Sequence, residues 1–494
     1  MSQEPKKVGR RTFLNYVIAI VATGVIVGAA TYFATPKGIV TVTAPGTTVT
    51  KTVTTTITGT PTTSLTTSPT AYPLIPNPSK KWPKIVMAGW EYKSDVVRDN
   101  VNIFTNYTGI PAEFIALAEP YEDQMTTKFI GNEPIDICYF RQDVLGAWAE
   151  AGWLIPIDDL PTLDIIKDEY IPAVYSMLTY KGKLYGLSYY TDCYAFAYNK
   201  AHFEKAGITR PPSTLDEVKQ YAIDIKKAVP DILYPIDFPI TSFINIVVDT
   251  WNRLQIAEGF IPFSEDFEPL FAESDISVYI LDWLADVNEK GLLTNILSGS
   301  AKESSSLANG LSAMSITTRY AFYEMNITIG GGKKVVGASL LPGKAHNSVC
   351  YVRGYGRTKM NKERAQKDKD VEDAMWQILD FFGGKYYIYE GQHVHWVARR
   401  WMLEAGLYFA QQPLWKDPKV IETVEKYGYP DIFQEIERKA LPEHWKPVPW
   451  YREWALYAVP ILQDVIYKRR ATKEAVKDLA RKWNSLKEEW KGSK

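Results

Sequence analysis

Cysteine is scarce in this 494-residue chain, which has Cys138, Cys193 and Cys350 only. Three thiols cannot build a disulfide scaffold, and the lack of any CxxC pair excludes a zinc ribbon or a thioredoxin-like centre. Histidine is scarce too, five in all, and His393-Val394-His395 has no cysteine neighbour with which to hold a metal. Charge of either sign is not in surplus. The 56 basic residues stand against 57 acidic ones, a net charge of −1, which leaves no electrostatic footprint for nucleic acid. Catalytic signatures are missing as well. GxSxG and HExxH do not occur, and Gly330-Gly331-Gly332-Lys333-Lys334 lacks both the spacing and the hydroxyl of a phosphate-binding loop. No cofactor is expected.

What the chain does have begins at its start. Residues 1–15 are polar and basic and contain Gly9-Arg10-Arg11-Thr12-Phe13-Leu14-Asn15, which resembles a twin-arginine export motif. Tyr16 to Phe33 carries no charge. As a helix that run spans about 27 Å, close to the thickness of a bilayer core. The positive flank predicts a cytoplasmic start, with everything after the span outside the cell. A small-x-small cleavage site and a lipid-accepting cysteine are both missing after the apolar run, so an uncleaved anchor is expected, with a removed signal as the alternative. Residues 35–72 are a Thr tract broken by Pro and Gly. Such a composition cannot bury a core and predicts an extended stalk, with a span of roughly 35 Å if flexible. Two N-glycosylation triplets follow, Asn106-Tyr107-Thr108 and Asn326-Ile327-Thr328.

The body starts near Trp82. Ile85-Val86-Met87-Ala88, Phe114-Ile115-Ala116-Leu117 and Ile135–Phe140 read as buried strands, with helices over about 94–105 and 121–131 between them. Strands alternating with helices predict an α/β fold with a largely parallel sheet. Ligands of such sheets sit at the carboxyl ends of strands, which nominates Trp90-Glu91 and Arg141-Gln142-Asp143. Many of the 31 Tyr and 15 Trp belong to the core, but a few rings could line a ligand site.

Several segments then occur in an ordered series. They are Asn132–Ile137, Trp148–Ile157, Gly182–Leu187 running on through Tyr194–Lys200, Phe203–Gly207, Pro211–Glu217, Ala313-Met314-Ser315-Ile316, Tyr351–Gly356, and the amphipathic end from Thr472. Over about residues 83–490 this series resembles the extracellular solute-binding proteins of carbohydrate importers, the group that includes maltose-binding protein. The resemblance implies a two-lobed α/β fold of periplasmic-binding-protein type II, with a ligand cleft between the lobes. It implies lobe 1 over 81–193 and 351–430 and lobe 2 over 194–350 and 431–494, behind a signal or anchor (1–35) and a stalk (36–80). The chain would cross near Asp192–Ala195, return near Cys350–Tyr355 and cross again near 425–435, with closure as a hinge motion.

By the same match, Asp143 and Asp192 fall where acidic ligand contacts sit, Tyr190 beside the first crossing, and Tyr320 where a ring stacks on the ligand. Trp251 and Trp454 take places suited to further stacking rings, and Arg353, Gly354 and Tyr355 lie on the returning hinge strand. Arg319 replaces a small residue of the family. With Arg141 and Arg353 it would suit a ligand carrying negative charge. Cys193 and Cys350 fall on the two adjacent crossing strands, where a disulfide or two buried thiols would fit. The resemblance implies a monomeric binder rather than an enzyme, held outside the cell, capturing a sugar or oligosaccharide for separate permease and ATPase subunits. The alternatives are an enzyme acting on polysaccharide, a structural surface protein, or a binder of peptide, polyamine or glycerol phosphate.

Overall fold

Apolar runs become the strands of a sheet covered by helices, the inner two buried on both faces and the edge one only in part. In the computed structural model, which describes residues 72–238, 240, 246–294 and 305–492, these are β1 (Ile85–Trp90), β2 (Ala112–Leu117) and β3 (Ile137–Arg141). The export motif, the apolar span and the stalk lie outside the described residues. Among the described residues, no helix is long and apolar enough to cross a membrane.

The helix Ser94–Thr108 joins β1 to β2. It buries Val97, Val101 and Phe104, spaced to share one face, and it ends at Gly109, whose φ of 75° lets its N–H reach the Thr105 carbonyl. β1 pairs in parallel with both β2 and β3, as the strand–helix alternation predicts.

Two long strands then carry the chain between lobes: β4 (Leu187–Asn199) and, after β5 (Ile236–Asp237), β6 (Met314–Thr318) and β7 (Val336–Ser339), the returning β8 (Ser348–Thr358). The sheet runs β2-β1-β3-β8-β4-β6-β5, with β7 also on β4. β8 pairs antiparallel with β3 through residues 353–357 and with β4 through 350–355. Beyond Cys193, β4 turns to new partners, β6 and β7. One sheet therefore serves two lobes, and β4 and β8 are the strands that pass between them. The helix Pro430–Arg438 packs against both strands, where the resemblance implies a third crossing.

The second lobe has a large aromatic core, and Trp251 and Trp454 are inside it. Both are fully buried, with indole N–H groups donating to the Ser277 and Leu479 carbonyls. Their surroundings show why. Trp454 shares a helix face with Tyr451, Ala455, Ala458 and Leu462, and Trp251 with Val247, Val248 and Leu254. The expectation that these rings stack on a ligand is thus corrected: helical spacing points them inward. Asn326 is also fully buried, its amide donating to the Val336 and Tyr427 carbonyls, whereas Asn106 is exposed.

Candidate ligand cleft

Three groups of residues converge where β1, β3 and the two crossing strands end. On the first lobe, Trp90 closes β1 and stacks on Tyr92, with ring centroids 5.2 Å apart and planes 18° from parallel. Glu91 between them is exposed. Burial, then the Tyr320 and Tyr190 hydroxyls, push Tyr92 up to about 12. At the end of β3, Arg141 forms an ion pair with the nearly buried Glu122, Nε to Oε1 2.5 Å, and lies 3.8 Å from Asp143. Burial alone would raise Asp143, but Arg141, Arg452, Arg353 and Lys446 outweigh it and hold the carboxyl below its usual range. Two of those cations, Lys446 and Arg452, come from the second lobe.

The floor is made by the crossing strands. Tyr190 is buried on β4, its hydroxyl 3.4 Å from that of Tyr139. Tyr351 and Arg353 follow on β8 and are half-buried. The Arg353 guanidinium lies 4.7 Å over the Tyr351 ring and donates to the Val352 carbonyl at 3.1 Å. Burial would lower its pKa, but Tyr139, Tyr190, Tyr351 and Asp143 hold it above the ordinary value. It makes no ion pair with a carboxylate among the described residues and is half-buried. Tyr355, nominated on the same strand, is 2 % exposed and packs its ring on Tyr189 and Phe382 instead. The pleat alternates sides, so its neighbour two residues away, Arg353, differs from it in depth rather than in face.

Asp192 and Arg319 are together, but not at the open surface. Arg319 is 0 % exposed; its Nε meets Asp192 Oδ1 at 2.7 Å and its Nη1 meets Glu437 Oε1 at 2.5 Å. Asp192 also accepts the N–H groups of Cys193 and Tyr320, at 2.7 and 2.8 Å. Burial raises both carboxyls, with Arg319 acting in the opposite sense. The family-based expectation of a free cation at Arg319 is therefore corrected: two buried carboxylates neutralise it. Arg141 is likewise paired. Of the three arginines that argued for an anionic ligand, Arg353 is the one without a carboxylate partner among the described residues.

Sequence reasoning missed Tyr92, Glu122, Tyr351 and Arg452. Glu122 opens the helix Tyr121–Ile130 just after β2, so the rule that sites collect at strand carboxyl ends could have found it. At Gly146 the missing side chain leaves room for the Pro447 carbonyl. His393 and His395 hold no metal-binding geometry; His395 pairs with Glu169 at 2.8 Å, and among the described residues no group of His, Cys, Asp and Glu could hold a metal ion.

A protein-family model described as bacterial extracellular solute-binding protein matches residues 79–385. The chain is 34% identical over 85 residues to a maltotriose-binding protein of Pyrococcus abyssi, covering 17% of each chain. It is 38% identical over 108 residues to a mannitol-binding protein of Pseudomonas aeruginosa, 22% of this chain and 24% of that one. Those alignments thus span less than a third of either relative. Among solved structures, a solute-binding protein of an ABC transporter from Thermotoga lettingae, bound with α-D-tagatose, superposes with a TM-score of 0.64 at 22% identity, covering 82% of this chain and 98% of that one. At such identity the likeness is one of fold.

Proposed function

The chain belongs to the bacterial extracellular solute-binding proteins, and on that premise we propose that it captures a small polyhydroxy solute, a sugar or polyol, outside the cell for an ABC importer. The observation that carries this reading is the make-up of the cleft. We count as its lining the rings Trp90 and Tyr92 at the end of β1, Tyr190 and Tyr351 on the crossing strands and Tyr320 after β6, together with the Arg353 guanidinium over Tyr351 and the Asp143 carboxylate. Rings cover the C–H faces of a sugar, while a few placed polar groups bind its hydroxyls and fix orientation. Pairing takes up part of the charge: Arg141 is bound by Glu122 and Arg319 by Asp192 and Glu437, which leaves Arg353, of these three, as the cation without a carboxylate partner among the described residues.

The relatives agree in kind: their names speak of maltotriose, mannitol and tagatose. The reading is of a binder that works as a monomer without cofactor, with permease and ATPase as separate subunits. Its lobes divide as the resemblance implies, 81–193 with 351–430 and 194–350 with 431–494. The apolar span Tyr16–Phe33 behind Arg10-Arg11 would export and tether it, with the Thr tract as a spacer. Thermal stabilisation tests the central point. Maltotriose, D-mannitol, D-tagatose, D-glucuronate and a tripeptide would be screened at millimolar concentration. A rise in melting temperature with a neutral carbohydrate, the sugar being recovered unchanged, supports capture; a response to the peptide alone, or turnover of the sugar, refutes it.

A further inference from the structure

Cys193 and Cys350 stand opposite each other in the β4–β8 register and are joined by a disulfide. Both are 0 % exposed, so the bond is a permanent part of the fold rather than an accessible switch. It fastens the first crossing to the second. One residue earlier, Asp192 receives Arg319, and Arg319 in turn binds Glu437 and the Phe433 carbonyl on the third crossing. All three connections between the lobes are therefore tied together at one level.

Three residues toward the first lobe the pairing changes. Arg353 faces Tyr190, but Gly354 faces Ser188, leaving Tyr189 as an extra residue in β4. A bulge of this kind interrupts the ladder and bends the strand. Between the tie and the bulge lie Tyr190, Thr191, Tyr351, Val352 and Arg353, the same short segments that form the cleft floor.

We propose that the disulfide and the Asp192–Arg319–Glu437 cluster lock the three crossings into one rigid node belonging to the second lobe, which confines the hinge bend to residues 189–191 and 352–354. The bend then sits under Tyr190 and Arg353, so a ligand that engages them acts on the pivot itself. The node is set by the backbone whatever solute the cleft takes, and its test needs no ligand.

Hydrogen exchange of the intact oxidised protein, resolved to short segments, reads the bend directly. Amides of 193–198 and 348–350 are expected to exchange at least tenfold more slowly than those of 189–191 and 352–354; equal protection on the two sides overturns the assignment. In a Cys193→Ala/Cys350→Ala variant, protection at 193–198 is expected to fall at least tenfold while β1–β3 keep theirs. Unchanged protection there overturns the lock. Should the double variant not accumulate as folded protein, Glu437→Gln releases the third crossing alone. It is expected to cost residues 430–438 their protection by a similar factor, and no change in that segment likewise counts against the node.

Discussion

Arg319 and Arg353 are two arginines of one hinge with opposite fates. Arg319 directly follows β6, is wholly buried and is shared by two carboxylates. Arg353 lies on β8, with β4 between it and β6, half-buried over a tyrosine ring and with no carboxylate bound. The same residue type makes a structural clamp in one place and a recognition group in the other. What separates them is the supply of partners at each depth. A guanidinium taken fully out of water must meet anions there, and one at a cleft edge can leave its donors to solvent or ligand.

The sharpest break of that contrast is Arg319→Met. It strands Asp192 and Glu437 without their cation, at an expected cost of about 3–5 kcal/mol in denaturant unfolding. Because burial already raises both carboxyls, protonation should relieve part of the loss, so the variant should recover toward low pH. A loss under about 1 kcal/mol would place Arg319 with the recognition groups after all.

Trp251→Ala and Trp454→Ala separate core rings from cleft rings. Each should cost about 3–5 kcal/mol in stability. Trp90→Ala, on a half-buried ring at the cleft, should cost clearly less and instead weaken binding. If Trp251→Ala were harmless to stability, the core assignment would fail.

A second buried acid in the other lobe gives a control for pH. Burial pushes Asp237 up to about 6, against weaker hydrogen bonds from Ser306 and Ser312. A raised folded pKa means that stability is greatest below the unfolded pKa and declines as pH rises toward 6, by on the order of 2–3 kcal/mol. Asp237→Asn should remove that slope in unfolding titrations between about pH 4 and 7. Asp143, lowered by its cations, has the opposite sign: its contribution is present at neutral pH and fades as acid protonates it. Parallel slopes from the two aspartates would contradict their assigned environments.

The smallest expected effect on the fold belongs to Arg353→Met. Stability should stay within about 0.5 kcal/mol, while affinity for the carbohydrate found by thermal screening should drop at least tenfold, about 1.4 kcal/mol, in titration calorimetry. Loss of stability without loss of affinity would make Arg353 a second Arg319.

Much of this was readable from local pattern. The first three strands and the helices between them follow from runs of apolar residues and fall within a few residues of the expected limits. The crossing strands follow from a family resemblance rather than from periodicity, since an 11- or 13-residue strand that changes partners halfway carries no period of its own. Trp454 was misplaced although its helix face held the signal, because a tryptophan looks alike as a core residue and as a stacking platform.

By itself the sequence determined which segments of the first lobe are helix and strand and the order in which they recur. These depend on neighbours a few residues apart, where side-chain spacing alone decides burial. Tertiary structure decided which polar groups remain available. Arg319 meets partners 127 and 118 residues away, and Cys193 meets one 157 residues away. Whether a charge is spent or free depends on such distant partners, and desolvation, which falls steeply with depth, turns that pairing into either a clamp or a site.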